Sequence, residues 1–467
     1  MTRLVLDACG LPEAPAEFAE LMGKVATSLA RAEVSLVLVL HLARDRERLL
    51  SVLKPRAGFL ELREVTPETD AAAIGGRIFD GPAENIGHVV CGKDLGGEMF
   101  DDLAPPRDKN SFKFLLPPVR VSTARSIAQG IESVGWMAGR EVAGRLTARA
   151  RTVGQWRLSH FLPELHGEAP AVFWESAALP IEWPFRAPAG DPFLRASSRI
   201  LAIVPHYHCE EWLAHILKVL TGQTRRPDGI VVVDDCSGAP PREIVAAFPD
   251  VTLLSTPRNV GPEALVHQVM AQTEFDGYMI HDADDWASND RLELSLAAAE
   301  QTGAGLVATQ ELQYLIEESR FVATTFPLNV TAAMRVDIGH YTINGSNLVS
   351  RRLARMIGGM DDSFRLSADT DFIYRAGLAH LVVNLPRFCY LRRERPGSLT
   401  TAPETKLGTV RRDMELISMA ARARRNQQRL RENLAPRLRP VREAAPLAFI
   451  HELGPRLPVA ICGLTPP

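Results

Sequence analysis

No C-x-x-C pair and no metal-ligand spacing occurs among the six cysteines, Cys9, Cys91, Cys209, Cys236, Cys389 and Cys462. Scatter of that kind offers no framework for metal or disulfide chemistry, and the expectation is reduced, mostly buried thiols in a cytoplasmic protein. Strong charge of either sign is missing too. A formal net charge of −3 gives no global reason to expect a nucleic-acid partner. No apolar run approaches the ~20 residues of a membrane span. The strongest, "VSLVLVLHLA" at 34–43, reads as a buried strand, and the apolar run in "MTRLVLDACGLPEAPAEF" is too short for a secretory signal. Any membrane contact is therefore expected from the surface. The first 160 or so residues hold neither G-x-G-x-x-G nor G-x-x-x-x-G-K-[ST], so no nucleotide site is assigned there. Internal repeats and low-complexity segments are also missing.

What remains is ordinary globular composition, 46% hydrophobic and 23% charged, over 467 residues. That length suits two or three modules of ~150 residues. Residues 1–162 alternate "EVSLVLVLHL", "ARDRERLLSVL" and "GFLELREV", which is β-α-β logic and predicts a small α/β domain of unknown function. Residues 163–195 interleave Pro163, Pro170, Pro180, Pro184, Pro188 and Pro192 with Phe173, Trp174, Trp183, Phe185 and Phe193. The prolines oppose regular ladders and the aromatics oppose a loose tether, so an ordered connector is expected, with a boundary near Ala196. From Arg199 strands and helices alternate: "RILAIVP", "EEWLAHILKVLTGQ", "GIVVVDD", "PREIVAAF", "VTLLST", "PEALVHQVMAQT", "GYMIHD". Strands recurring every ~25 residues with helices between them predict a doubly wound, mostly parallel sheet. The region from about 403 reads as a helical, arginine-rich tail.

Ligands of such sheets sit at the carboxyl ends of the strands. Polar groups stand at those ends: "VPHYH" (204–208), "VDDCS" (233–237) and "HDADD" (281–285). Asp235 can accept from a base N–H or a ribose hydroxyl, and Tyr207 can lie against the base. Asp282 and Asp284, two apart on an extended segment, point the same way and can hold a hard divalent cation through oxygen. A cation there would bridge a diphosphate, which gives the crowded carboxylates a purpose that a solvated turn lacks.

In order along the chain, "VPHYHCEEWL", "QTRRPDGIVVVDDCS", "NVG" (259–261), "DADD", "GGMDDSF" (358–364), "ADTDF" (368–372) and "RPGSLT" (395–400) resemble the motifs of family 2 glycosyltransferases, which have a GT-A fold. The resemblance covers residues 198–402 approximately. It implies a GT-A-like glycosyltransferase domain at 196–402, followed by the helical region 403–467. It also implies that Pro205 and Tyr207 border the nucleoside, with Asp235 on the base and Asp234 beside it. Asn259 and Gly261 join the nucleotide-sugar site. Asp284 becomes the main ligand of Mn²⁺ or Mg²⁺, supported by Asp282, and Asp369 becomes the catalytic base. Gly345 and Ser346, in "YTINGSN", are expected at the acceptor.

The chain departs from the family pattern at His208, at His267–Gln268, at Ala368 in place of a glutamate, and at Arg395 in place of a histidine that faces the metal. Arginine has no lone pair for a cation, so Arg395 is expected on the leaving diphosphate instead. For Asp369 the competing role is a helix cap, since "SADTDFIYRAGL" opens a helical pattern.

The implied activity is a metal-dependent, hexosyltransferase-type reaction with inversion. It moves a sugar from a nucleotide-sugar to a glycan or lipid-linked acceptor in cell-envelope polysaccharide synthesis. A non-catalytic nucleotide-sugar-binding or scaffold protein is the alternative. A nucleotidyltransferase is disfavoured, because "PHYHCEE" is neither basic nor glycine-rich. In the tail, "VRRDMELISMAARARRNQQRLREN" (410–433) reads first as a solvated basic face, and second as peripheral contact with the inner face of an anionic membrane.

Overall fold

The structure is a computed structural model. It describes residues 2–7, 15–29, 34–40, 59–66, 68–79, 83–91, 95, 97–100, 103–116, 129–131, 133–148, 150–155 and 173–176, then 181–458 without 188–189, 319 and 443–444. The helix expected from "ARDRERLLSVL", the cysteines Cys9 and Cys462, and Pro163, Pro170, Pro180 and Pro188 lie outside the described residues. The chain forms two compact units, residues 1–120, 130–180 and 318–324 in one, and 121–129, 181–317 and 325–467 in the other.

The first unit is a separate α/β domain. Its elements are β1 (Thr2–Asp7), α1 (Pro15–Leu29), β2 (Val34–Leu40), β3 (Phe59–Glu64), α2 (Ala71–Phe79), β4 (Asn85–Val90), β5 (Ser111–Leu115), β6 (Val134–Gly139), α3 (Arg140–Thr147) and β7 (Phe173–Glu175). The sheet order is β3-β2-β1-β4-β6-β5-β7. β1 runs parallel to both β2 and β4, whereas β6 is antiparallel to β4 and β5. Leu4, Leu6, Met22, Val25, Val89 and Met137 share its buried core.

The second unit begins its sheet with β8 (Ile200–His206), buried at every residue. There follow α4 (Glu210–Thr221), β9 (Gly229–Asp234), α5 (Arg242–Ala246), β10 (Val251–Ser255), α6 (Pro262–Gln272), β11 (Gly277–Ile280), β12 (Trp286–Ala287), α7 (Arg291–Thr302) and β13 (Leu306–Leu315). After these come α8 (Val330–Val336), β14 (Leu348–Ser350), α9 (Arg351–Ile357), α10 (Ala368–Ala379), β15 (Val382–Glu394), α11 (Val410–Arg431) and β16 (Ile450–Leu453). Leu201 and Ile203 enter one core while Ile200, Ala202 and Val204 enter another. Both faces of the strand are covered, which explains its unbroken apolar run.

The main path of this sheet is β12-β15-β13-β14-β11-β8-β9-β10-β16. β8 is parallel to β9, β9 to β10, and β8 to β11. The chain therefore adds β9 and β10 on one side of β8, then crosses to place β11 on the other. That reversal opens a crevice at the strands' carboxyl ends. Pro205 helps to open it. Ile203 accepts from the His281 N–H on the β11 side at 3.0 Å, so the missing N–H of Pro205, two residues on, faces the same side just beyond the last paired residues.

The C-terminal region is helical over α11 and then extended, and β16 closes the sheet edge by antiparallel pairing with β10. Among the described residues no helix is long and apolar enough to cross a membrane. α11 is tied down by charge. Arg422 pairs with Asp361 at 2.6 Å and with Asp371 at 3.3 Å, and Asp371 holds the buried Arg375 at 2.6 Å. Asp371→Ala would leave Arg375 charged and unpaired inside the unit. A loss of ~3–5 kcal/mol in chemical denaturation is expected, and a loss below about 1 kcal/mol would contradict this role for the pair.

Candidate active site at the sheet switch point

At the ends of β8 and β9 the polar groups satisfy one another. His206 Nδ1 lies 3.0 Å from Asp234 Oδ1. The Ser237 hydroxyl and backbone N–H donate to the same carboxylate at 2.6 and 3.1 Å. Burial alone would push the Asp234 carboxyl up, but the bonds from His206 and Ser237 outweigh it and hold the group below its ordinary value. Asp235 binds the next loop: its two oxygens accept from the backbone N–H groups of Val260, at 2.8 Å, and Gly261, at 2.7 Å. Burial raises its pKa all the same. The Asn259 amide donates to the Asp235 carbonyl at 3.2 Å, and Gly261, at φ 91°, adopts the backbone that glycine favours as it starts α6. Tyr207 stays outside this network, 47% exposed at the strand end.

The acidic turn after β11 is held from β15. Asp285 is buried; one oxygen accepts the Tyr390 hydroxyl at 2.8 Å and the other the Arg393 N–H at 2.7 Å. Burial and the neighbouring Asp284 and Asp282 push its carboxyl well up. Asp284 accepts from Arg395 Nε at 2.6 Å, and its carbonyl accepts from the Arg393 guanidinium. Asp282 has a weaker hold, with its Oδ2 3.4 Å from the Tyr390 hydroxyl. Burial, then Asp284 and Asp369, push its carboxyl up to about 7. Gly345 packs against this point. A Cβ there would collide with the Tyr390 hydroxyl and Asp282 Oδ2. Ser346, next in the chain, is fully buried, and its hydroxyl donates to the Ile343 carbonyl and accepts from the Thr309 N–H.

Asp369 arrives on the first turn of α10, whose cap residue is Ser367 at φ 59°. The side chain of Asp369 is thus not the cap residue of this helix. Burial raises its pKa, while the charges of His340 and Arg412 counteract. The motif's second acid, Asp371, is spent on Arg375 and Arg422. Sequence reasoning missed Glu263. It occupies the first turn of α6, where an acid is an ordinary helix-start signal. Burial and the charge of Asp369, with a further contribution from Asp282, push it up to about 8. Tyr390 and Arg393 were also missed, since nothing in an apolar strand marks which residues will meet a distant turn.

The structure therefore brings Asp282, Asp284, Asp369 and Glu263 into one electrostatically coupled group, with Gly345 against Asp282 and Arg395 on Asp284. Pro205, Tyr207, Asp234, Asp235, Asn259 and Gly261 line up on the β8–β9 side. Among the described residues no set of three or more His, Cys, Asp or Glu side chains is arranged to hold a metal by itself. Asp282 and Asp284 are the hard oxygen donors that a divalent cation takes, and a cation there would have to share Asp284 with Arg395 or displace it.

Residues 201–349 match the family model described as Glycosyl transferase family 2. Galactofuranosyltransferase GlfT1 of Mycobacterium tuberculosis is 43% identical over 65 residues, which are 13% of this chain and 21% of that protein. The chain thus aligns with about a fifth of the curated relative. Among solved structures, S. aureus TarS 1-349 in complex with UDP-GlcNAc has a TM-score of 0.36 at 18% identity, over 43% of this chain and 60% of that one. Mannosyltransferase PcManGT from Pyrobaculum calidifontis, in complex with GDP-Man and Mn²⁺, has a TM-score of 0.38 at 19% identity, over 52% and 68%.

The raised Glu263 carboxyl predicts a pH-dependent stability. A carboxyl moved from 4.5 to about 8 binds its proton more tightly folded than unfolded. Its favourable contribution is complete below the unfolded value and is lost as pH rises through the folded one. Glu263→Gln should leave Tm nearly unchanged at about pH 5 and raise it above pH 8, where the wild-type carboxyl has lost its proton. A Tm difference independent of pH would contradict the placement of Glu263 in the acidic group.

Proposed function

We propose that residues 196–402 form an inverting glycosyltransferase, which moves a sugar from a nucleotide-sugar to a hydroxyl of a glycan or lipid-linked acceptor. One observation carries the reading. Asp282 and Asp369 come from distant parts of the chain into one site, where burial holds both carboxyls above their ordinary values.

In this reading Tyr207 lies against the base of the donor, with Pro205 beside it. Asp234, Asp235, Asn259 and Gly261 fix the floor on which the nucleoside rests. Asp282 and Asp284 hold Mn²⁺ or Mg²⁺. A divalent cation, when bound, offsets the charge that grows on the departing diphosphate. Arg395 leaves Asp284 and directs its planar fork at the phosphate oxygens. Asp369 takes the proton of the acceptor hydroxyl as that oxygen bonds to the anomeric carbon, while the bond from that carbon to the diphosphate oxygen breaks. Gly345, packed against Tyr390 and Asp282, and the buried Ser346 behind it shape the wall of the site on the acceptor side rather than touching the acceptor. The proposed setting is cell-envelope polysaccharide synthesis on the cytoplasmic side of a membrane. A non-catalytic nucleotide-sugar-binding protein is the second reading, favoured by the Arg395 guanidinium seated on Asp284 and by Ala368 before Asp369.

The wild-type chain should release nucleoside diphosphate slowly from its donor without acceptor, and only with Mn²⁺ present. Asp284→Ala should abolish Mn²⁺-enhanced binding of the nucleoside diphosphate, measured by calorimetry, while the thermal transition persists. Unchanged Mn²⁺-dependent affinity would return the turn to a solvated loop. Asp369→Asn should retain donor affinity and lose at least ~10²-fold in transfer. Arg395→Ala should lose ~10- to 10³-fold, with Arg395→Lys recovering part. Transfer within a few-fold of wild type would remove the residue concerned from the mechanism.

A further inference from the structure

The two sides of α11 have opposite characters. Its inner side is committed to the fold: Met419 and Ala423 are buried in the core. Arg412 donates to the Ser367 hydroxyl at 3.1 Å, and to the carbonyls of Leu399 and Thr405 at 2.9 and 2.8 Å. On the outer side, Val410, Met414 and Ile417 are between 66% and 77% exposed. Their i, i+4, i+7 spacing places them on one face. Leu407, 64% exposed, precedes them by three residues, and Leu399, 43% exposed, lies in the loop that Arg412 fastens to the helix. Exposed Lys406 and Arg411 border this stripe on one side, the partly exposed Asp413 lies beside it on the other with exposed Glu404 in the preceding loop, and exposed Arg424 and Arg425 extend the face toward the helix C-terminus. Single exposed apolar residues are normal, but a run of them along one face marks an interaction surface. The helix is therefore basic as the sequence suggested, yet its exposed N-terminal half is apolar.

We propose that this face docks on an anionic phospholipid surface, with Leu407, Val410, Met414 and Ile417 inserted among the acyl chains and the flanking Lys and Arg on the headgroups. The charge pattern selects that occupant: an apolar stripe with cationic flanks lies in the headgroup layer of an anionic membrane. The position in the fold agrees. The inner side of the same helix grips Ser367, two residues before Asp369, and Glu415 accepts the Leu366 N–H at 2.7 Å. The stripe and the proposed base thus stand on opposite sides of one helix, ~10–12 Å across. The docking rests on the surface alone. Its consequence, that a lipid-linked acceptor reaches Asp369 from the bilayer, rests on the glycosyltransferase reading.

The test is flotation of the full chain with vesicles of phosphatidylglycerol mixed into phosphatidylcholine, against vesicles of phosphatidylcholine alone. The wild type should float with the anionic vesicles, and the triple variant Val410→Glu, Met414→Glu, Ile417→Glu should bind at least ~10-fold more weakly. The thermal transition and nucleoside diphosphate binding of the variant should be unchanged, because these side chains touch neither the core nor the site. Arg424→Ala with Arg425→Ala should weaken binding to the anionic vesicles, as should salt of roughly 0.5 M, which shortens electrostatic reach to a few ångströms. Wild type that stays at the bottom of the gradient would overturn the proposal. So would a triple variant that floats as well as wild type. Sedimentation velocity showing a wild-type dimer that the triple variant splits would also overturn it, by assigning the stripe to a second copy. A failure of Mn²⁺-dependent nucleotide binding would instead strike the reading of the site, since flotation does not use it.

Discussion

Asp285 fastens the acidic turn to β15, and the site depends on that attachment. Aspartates at 282, 284 and 285 repel one another, and burial makes the repulsion costly. The fold divides them. Asp285 takes the Tyr390 hydroxyl and the Arg393 N–H, so its oxygens face inward and fix the turn. Asp284 is given Arg395, on the strand's continuation. Asp282 is left with a long contact to Tyr390, and its pKa rises. Gly345 belongs to the same constraint, because any side chain there would drive Tyr390 and Asp282 apart.

The same division of labour runs through the crevice. Asp234, Asp235 and Asp371 are satisfied by His206 and Ser237, by the Val260 and Gly261 N–H groups, and by Arg375 and Arg422. They shape loops. Burial and neighbouring carboxylates push Asp282 up to about 7 and Glu263 up to about 8, and burial raises Asp369 as well. In the proposed reading, a divalent cation arriving with a diphosphate would take up these carboxylates. The ion pair of Arg395 with Asp284 balances part of the charge.

Much of the second unit was legible in the sequence. Continuous apolar runs such as "ILAIV" and "IVVV" announce strands covered on both faces, and turn residues separate them from helices with a clear apolar stripe. Polar strand ends then located the crevice. The partners of those ends were not legible. Asp235 looks free to meet a base, yet its carboxylate holds the next loop, a fact fixed by the conformation at Gly261 rather than by any pattern. Glu263 resembled a helix-start acid, and Tyr390 a core aromatic, because their contacts span more than a hundred residues. In the tail, counting arginines suggested a basic face. Packing decided otherwise for Arg412 and Arg422, which turn inward and leave Val410, Met414 and Ile417 outside.

The central claim is that the carboxyls of the site keep protons until a cation and a diphosphate replace them. Calorimetry of Mn²⁺ with UDP or GDP, near neutral pH in two buffers of different protonation enthalpy, measures this directly. With Asp282 pushed up to about 7 and Glu263 to about 8, binding should release protons, and the apparent enthalpy should differ between the buffers. Tight Mn²⁺-dependent binding with the same enthalpy in both buffers would contradict the account.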